Sequence, residues 1–289
     1  MPSSNNSVAS ALLAVYNGES ILIPCLQSLL NQSVPIEIII VDDGSADTTT
    51  IRIIEVMGKH KYVLLKQKHS GPALARNLGA RHASTGILLF VDADMKFDSA
   101  YVKDLIAPIQ QGKAIGTYTI EEQVGNWDNV WAQCWNIQEG WENKKRFPLY
   151  PPKWGTDFRA ILKSEFDRVG GFDNIGYTDT WSLFHKLGVR PLSTRAICYH
   201  QNPDSLSSVF RQARWSAKRP YKYGFLGTLY ALLRTSLPIS LLVGIYKSAH
   251  YKVSNPALPA GRFVIFKLVY DLGRFVGILE KLFTGKLAK

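Results

Sequence analysis

Gly86-Ile87-Leu88-Leu89-Phe90-Val91-Asp92-Ala93-Asp94 is the stretch on which the fold turns. Its apolar run is short and is bounded by a glycine at one end and by charge at the other. A run of that kind fits a strand buried on both faces, as strands are inside a parallel sheet. It ends in two carboxylates, Asp92 and Asp94, separated by Ala93. In open α/β sheets, ligands gather at the carboxyl ends of strands. Residues two apart on an extended segment point to the same side. Both carboxylates are therefore expected to face one divalent cation and the phosphates it carries, a coordination that suits Mg²⁺ or Mn²⁺. Taken alone, the pair is equally an acidic loop after a strand. Its neighbours decide.

Upstream, Val8–Val15 reads as a strand ending in Tyr16-Asn17-Gly18-Glu19, followed by a helix over Ile21–Leu30. Glu37–Val41 is a second strand, ending in Asp42-Asp43-Gly44-Ser45. A helix restarts after Asp47 through Ile51, Ile54 and Met57, and Tyr62–Leu65 is a third strand. Strands alternating with helices argue for βαβ units and a parallel sheet. Ser70–Ala80 has a Gly-Pro start and an Ala-rich body, which suits a helix whose N-terminus faces the ligand edge. Its backbone N–H groups and Arg76 would favour phosphate there; the alternative is a surface helix with an exposed arginine.

Ala14-Val15-Tyr16-Asn17, Val41-Asp42-Asp43-Gly44-Ser45, Ala75-Arg76-Asn77 and Asp92-Ala93-Asp94 occur in this order. Together they resemble the nucleotide-sugar half of a family 2 glycosyltransferase, and the resemblance runs to about Trp215. It implies a GT-A fold, an α/β architecture with a Rossmann-like, mostly parallel central sheet flanked by helices. It also implies inverting transfer from a UDP- or GDP-sugar. The donor contacts so implied are Tyr16, Asn17, Glu19, Asp42, Asp43, Arg76, Asp92, Ala93 and Asp94. Asp42 and Asp43 would sit at the nucleoside, and Asp92 and Asp94 at ribose and metal-diphosphate.

Tyr177-Thr178-Asp179-Thr180-Trp181 aligns with the family's Glu-Asp motif, which makes Asp179 the general base; Thr178 stands in place of the usual Glu. Asp179 would also cap the helix that follows it. Ala196–His200 reads as a last strand, and the resemblance implies that His200 joins Asp94 and Asp92 at a divalent metal, Mn²⁺ or Mg²⁺. Arg211-Gln212-Ala213-Arg214-Trp215 resembles the Gln-rich Arg-Trp motif of processive members, with Arg211 where that motif has its first Gln. It implies a diphosphate contact at Arg214 and an acceptor side formed by Trp215, Thr178 and Trp154. Trp127, Trp131 and Trp135, four apart, fit either a sugar site or one stripe of an amphipathic helix; the core or membrane-facing reading is the stronger. The chemistry is coherent, because a hydroxyl nucleophile needs a positioned base and a leaving diphosphate needs charge compensation.

Charge is distributed unevenly along the 289 residues. From Arg211 onward there are 14 Lys and Arg against two acids, Asp271 and Glu280, a net of +12 within a whole-chain +11. The basic character thus belongs to the tail, and such asymmetry points to an anionic surface. Phe225–Tyr246 is largely apolar but broken by Arg234 and Pro238. Arg262–Phe283 sets Lys267, Asp271, Arg274 and Lys281 on one stripe among Phe, Val, Ile and Leu. Neither is an uninterrupted span of the length a bilayer needs. Both suit helices lying in a membrane interface, with basic faces toward anionic lipid. Asn255–Gly261 reads as a breaker between them.

These readings divide the chain into a catalytic domain, 1–220, and a membrane-associating tail, 221–289. The partners expected are a nucleotide-sugar donor, a lipid or lipid-linked glycan acceptor and an anionic membrane surface rather than nucleic acid, with a homo-oligomer possible. Three dispersed cysteines without a CxxC fit a reducing compartment. Met1–Ser7 lacks the layout of a signal peptide. The expected location is the cytoplasmic face of a membrane. The rivals are an inactive core of the same fold serving as a membrane- or oligomer-binding module, and a nucleotidyltransferase. The latter would normally show a Gly-rich, basic N-terminal loop, which Ala14–Gly18 is not.

Overall fold

The computed structural model describes residues 6–141, 144–148, 153, 155, 157–175, 179–254 and 260–285. In chain order the elements begin β1 (Ser10–Val15), α1 (Leu22–Leu30), β2 (Glu37–Asp42), α2 (Thr49–Met57), β3 (Val63–Lys66), α3 (Pro72–His82) and β4 (Ile87–Asp92). They continue through β5 (Met95–Phe97), α4 (Tyr101–Gln110), β6 (Gly116–Val124), α5 (Val130–Glu139), β7 (Ala160–Leu162), α6 (Lys163–Arg168), α7 (Asp179–Leu187) and β8 (Leu192–His200). Four helices follow: α8 (Leu206–Ser216), α9 (Gly224–Arg234), α10 (Leu237–Ser254) and α11 (Ala260–Thr284).

One sheet of eight strands runs β3-β2-β1-β4-β7-β6-β8-β5. The half built from β3, β2, β1 and β4 is parallel throughout. β7 then runs antiparallel to both β4 and β6, β6 is parallel to β8, and β5 is antiparallel to β8. The α/β architecture with a helix-flanked central sheet is as expected, and antiparallel pairing enters only in its second half.

Alternation along the strands explains the two cores. Leu13, Leu89 and Val91 face Leu22, Leu26, Ile53 and Leu105 of α1, α2 and α4. Leu12, Leu88 and Phe90 face Ala73, Phe166 and Leu183 of α3, α6 and α7. The stretch at Ile87–Val91 is thus buried on both faces, as a central strand of a covered sheet must be. Gly79 brings α3 against the sheet: a Cβ there would sit 3.4 Å from Val41 and 3.5 Å from Leu12. Pro72 opens α3 just after Gly71, whose φ of 98° few other residues would adopt.

A third core joins α5, α8 and α11 through Trp135, Val209, Phe263, Phe266 and Tyr270. Trp135 packs edge-on against Phe266 and Tyr270, so the Trp stripe serves packing at this position. α11 lies along α8 with the help of two glycines. A Cβ on Gly273 would meet the Phe210 carbonyl at 2.6 Å, and one on Gly277 the Arg214 carbonyl at 2.1 Å.

The tail departs from its expected polarity. The Lys267 and Asp271 side chains are almost fully buried and form an ion pair at 2.6 Å, with the Ser240 hydroxyl donating to the same carboxylate. Lys281 donates to the Arg219 carbonyl at 2.6 Å. The charged stripe of α11 therefore faces the protein, while Ile265, Leu272, Phe275 and Leu282 are exposed. The cause is pairing: buried charges need partners, and Asp271, Ser240 and the Arg219 carbonyl supply them. α9 and α10 meet at a 66° bend after Arg234, and no single helix among the described residues is long and apolar enough to cross a membrane. Most of the breaker expected at Asn255–Gly261 lies outside the described residues.

Candidate active site

The carboxyl ends of β1, β2 and β4 open on one edge, and the loops there are tied to one another. Asn17, at φ 48°, accepts from the Ala46 amide at 2.9 Å through its side chain and donates its own amide to Ser45 Oγ at 2.9 Å. Glu19 accepts from the Thr48 amide at 3.1 Å. The sequence expects Asp42 and Asp43 at a nucleoside; the structure buries both and occupies both in loop building. Asp42 accepts from the Ser45 amide at 2.9 Å and the Thr50 hydroxyl at 2.5 Å. Asp43 accepts from Gln67 at 2.6 Å and from the Ser70 and Gly71 amides, each at 2.9 Å. Its second oxygen lies 2.9 Å from His69 Nδ1. Above this scaffold the exposed Tyr16 ring stacks on His69 with centroids 3.9 Å apart, a flat aromatic edge on which a planar base can lie.

Deeper in, charge is concentrated. The sequence expects Asp92 to share a cation with Asp94 and Arg76 to meet phosphate. Instead the Asp92 carboxylate is held by two guanidiniums, Arg76 at 2.6 Å and Arg159 at 2.7 Å. Arg159 also reaches Glu122 at 3.3 Å, and Arg146 lies 3.0 Å from the same carboxylate. Burial works against the charge of Asp92, but Arg159 and Arg76 outweigh it and hold its carboxyl well below the usual range. At Glu122 burial is likewise overcome, by Arg146, His200 and Arg159, and this carboxyl is also held far down.

Asp94 joins that network only through His200 and is the more open carboxylate, about a third exposed. Its Oδ2 lies 3.0 Å from His200 Nε2, and His200 Nδ1 lies 2.8 Å from Glu122 Oε1. Strand pairing makes the contact. β5 pairs with β8 so that Met95 opposes His200, β6 sets Val124 opposite His200, and the Gln201 amide donates to the Asp94 carbonyl at 3.0 Å. Burial and Arg146 disfavour the imidazolium, yet Asp94 and Glu122 together raise the His200 pKa above its ordinary value.

The donor set fits a divalent metal. Mg²⁺ and Mn²⁺ sites commonly use one or two protein ligands and complete their shell with phosphate and water. Asp94 and His200 Nε2 converge on an open edge, and Glu122 orients the far ring nitrogen, as carboxylates do behind metal-binding histidines. Among the described residues no group of three or more His, Cys, Asp or Glu side chains is arranged to hold a metal ion by itself, so phosphate and water would have to complete the shell.

Other expected positions fall elsewhere. Ala93 lies between the two carboxylates. Asp179 opens α7, with its side chain outside the description, and Thr178 and Trp154 lie outside the described residues. Arg214, expected at the diphosphate, is turned to α11, where it and Lys218 share Glu280. Trp215 is half-buried on α8. Glu122, Arg146, Arg159 and His69 are absent from the sequence reading. A Glu inside the mixed run Gly116–Val124 carries no local mark of its partners, which sit 24 to 78 positions away.

Residues 10–170, more than half of the chain, match the family model described as Glycosyl transferase family 2. The glycosyltransferase GlyA of Streptococcus pneumoniae is 28% identical over 226 residues, covering 71% of this chain and 32% of that protein. The chain spans about a third of the length of the first curated relatives it matches. Among solved structures, the mannosyltransferase PcManGT from Pyrobaculum calidifontis, in complex with GDP-Man and Mn²⁺, superposes with a TM-score of 0.59 at 17% identity. That match covers 96% of this chain and 88% of the mannosyltransferase. S. aureus TarS 1–349 in complex with UDP gives 0.54 at 13% identity, covering 98% and 93%.

Proposed function

The chain belongs to glycosyl transferase family 2, and from that premise we propose an inverting enzyme that moves a sugar from a UDP- or GDP-sugar to a lipid or lipid-linked acceptor at a membrane surface. The observation that carries the catalytic part is the line Asp94–His200–Glu122 at the sheet's ligand edge. A Mn²⁺ or Mg²⁺ ion held by Asp94 and His200 would supply positive charge to the departing diphosphate. Around it the chain's own residues divide the work. Glu122 fixes the imidazole, so that Nε2 faces Asp94. Asp92 holds Arg76 and Arg159 as a rigid floor beneath the donor. Tyr16 and His69 offer the base a stacking edge. Asp179, at the start of α7, is assigned as the base that takes the acceptor's hydroxyl proton. The oxygen so freed attacks the anomeric carbon while the bond to the diphosphate oxygen breaks on the opposite face.

The membrane part is supported by the apolar surface of the last three helices. Phe225, Leu226, Leu237, Leu242 and Tyr246 are each between 68% and 73% exposed, more apolar surface than water-facing helices ordinarily leave bare. A peripheral seat on the cytoplasmic face accords with this surface and with three unpaired, buried cysteines.

The test of the catalytic reading is release of nucleoside diphosphate from a panel of UDP- and GDP-sugars, with Mn²⁺ and with excess EDTA. At least one donor should turn over with metal, and Asp94→Ala should abolish that turnover while leaving the fold intact. Full activity of the unmodified chain in EDTA would refute the metal role.

A further inference from the structure

A cavity of about 690 Å³ lies between α5, α9 and α11, away from the carboxylate cluster of the catalytic edge and sharing no residue with it. Five cations line it, Arg219, Lys222, Arg234, Lys267 and Arg274, against two carboxylates, Glu139 and Asp271. Asp271 is already committed to Lys267 and Ser240, and the Glu139 carboxylate lies 3.5 Å from the Tyr270 hydroxyl. Arg234 has neither a carboxylate nor a hydrogen-bond partner among the described residues, and Lys222 has only the face of Tyr223, 5.0 Å from its ammonium. Among the described residues, Lys222 and Arg234 thus add positive charge to this cavity that no carboxylate pairs with.

The wall of the same cavity is apolar. Tyr223, Leu226 and Tyr230 line it and are each more than 60% exposed, so the cavity opens onto the bare apolar surface of α9. Cations and exposed hydrocarbon lining one cavity describe an amphiphile with an anionic head. We propose that this cavity binds the phosphate head of a lipid, with the hydrocarbon chain leaving along Tyr223, Leu226 and Tyr230 toward the membrane. Guanidinium groups suit a phosphate because they donate in a planar fork, and an exposed ring edge suits a chain. The field inside agrees: burial lowers the pKa of Lys267, and although Asp271 opposes this, Arg234 and Arg274 push it down further, a repulsion that a bound anion would relieve. This inference rests on the membrane-facing reading of the tail and gives a chemical class to the lipid expected there.

The experiment titrates the full chain with dodecyl phosphate below its micelle concentration, with inorganic phosphate and dodecanol as the two halves of the ligand. The double variant Lys222→Gln, Arg234→Gln is titrated alongside, because both side chains are exposed and can be exchanged without disturbing the core. Binding of each protein to neutral phosphatidylcholine vesicles is measured separately. The expected result is saturable binding of dodecyl phosphate at least tenfold tighter than either half, weakened tenfold or more in the double variant, with vesicle binding unchanged. Equal affinity for inorganic phosphate would overturn the lipid assignment in favour of a free anion. Unchanged dodecyl phosphate affinity in the double variant would overturn the site. Failure of the unmodified chain to bind vesicles containing anionic lipid, with dodecyl phosphate binding intact, would contradict the membrane reading and leave the cavity as a site for soluble phosphate amphiphiles.

Discussion

Glu122 supports the catalytic edge from behind, through His200. It holds Arg146, Arg159 and His200 at once, so Glu122→Gln leaves two partly buried guanidiniums short of a counter-charge. Removing one partner of a buried ion pair costs about 3–5 kcal/mol, and metal affinity should fall about 10–100-fold because the imidazole loses its anchor. Thermal melts and Mn²⁺ titration read the two effects separately. The pH dependence has two limbs of opposite sign. Folding depresses the Asp92 and Glu122 carboxyls, so their contribution is fully present above the unfolded value of about 4 and is lost as the pH falls through their folded values. Folding raises His200, so its contribution is fully present below about 6.5 and is lost as the pH rises through its folded value. Without metal, stability should peak in weak acid, and Glu122→Gln should flatten both limbs; a melting temperature independent of pH from 3 to 8 would contradict the network. A separate residue, Asp179, is tested by Asp179→Asn, which keeps size and removes the proton acceptor. Turnover should fall by about 10² or more with donor affinity within a few fold; loss of donor binding instead would place Asp179 in the nucleotide site.

At the scale of elements, the parallel half of the sheet is legible in the sequence because each strand there announces itself. Glu37–Asp42 and Ile87–Asp92 are apolar runs closed by carboxylates, and the helices between them are amphipathic. β6 is not legible in the same way. Thr117 and Thr119 are buried there because their hydroxyls bond the carbonyls of Leu105 and Ala196, and Glu122 because distant arginines neutralise it. Polar residues at core positions cancel the pattern by which a strand is read. The orientation of α11 is hidden for a related reason: a stripe of Lys, Asp and Arg reads as a face for anionic lipid until its partners within the protein are known. Gly273 and Gly277 are the compensating signal, since they mark the face that meets α8. Gly277→Ala would drive a methyl into the Arg214 carbonyl and should cost about 1–3 kcal/mol. Gly261→Ala, with open space around it, should be neutral or slightly stabilising. Chemical denaturation distinguishes them; equal stability of the two variants would contradict the close α8–α11 contact.

For the molecule as a whole, a nearly neutral α/β body carries a basic helical tail that shares a core with it through α5 and α8. Truncation at about residue 220 would therefore remove Phe263, Phe266 and Tyr270 from packing against Trp135 as well as remove the apolar surface. Those cations of the tail that are exposed, such as Lys222 and Arg234, add about 1 kcal/mol each near an anionic bilayer, within a Debye length. The full chain should accordingly sediment with anionic liposomes more than with neutral ones, and less as salt is raised. If it stays in solution with anionic liposomes at low salt, the exposed helices are better explained as an interface between copies. Sugar transfer to a lipid needs both the catalytic edge and the apolar helices, so transfer itself probes the two halves of the molecule together. The full chain is incubated with radiolabelled UDP- and GDP-sugars, Mn²⁺ and a membrane lipid extract, and label is partitioned between water and organic solvent. Label should enter the organic phase from one donor and be lost with Asp94→Ala and with EDTA. No label in the organic phase from any donor, with none released as free sugar, would contradict the proposed transfer.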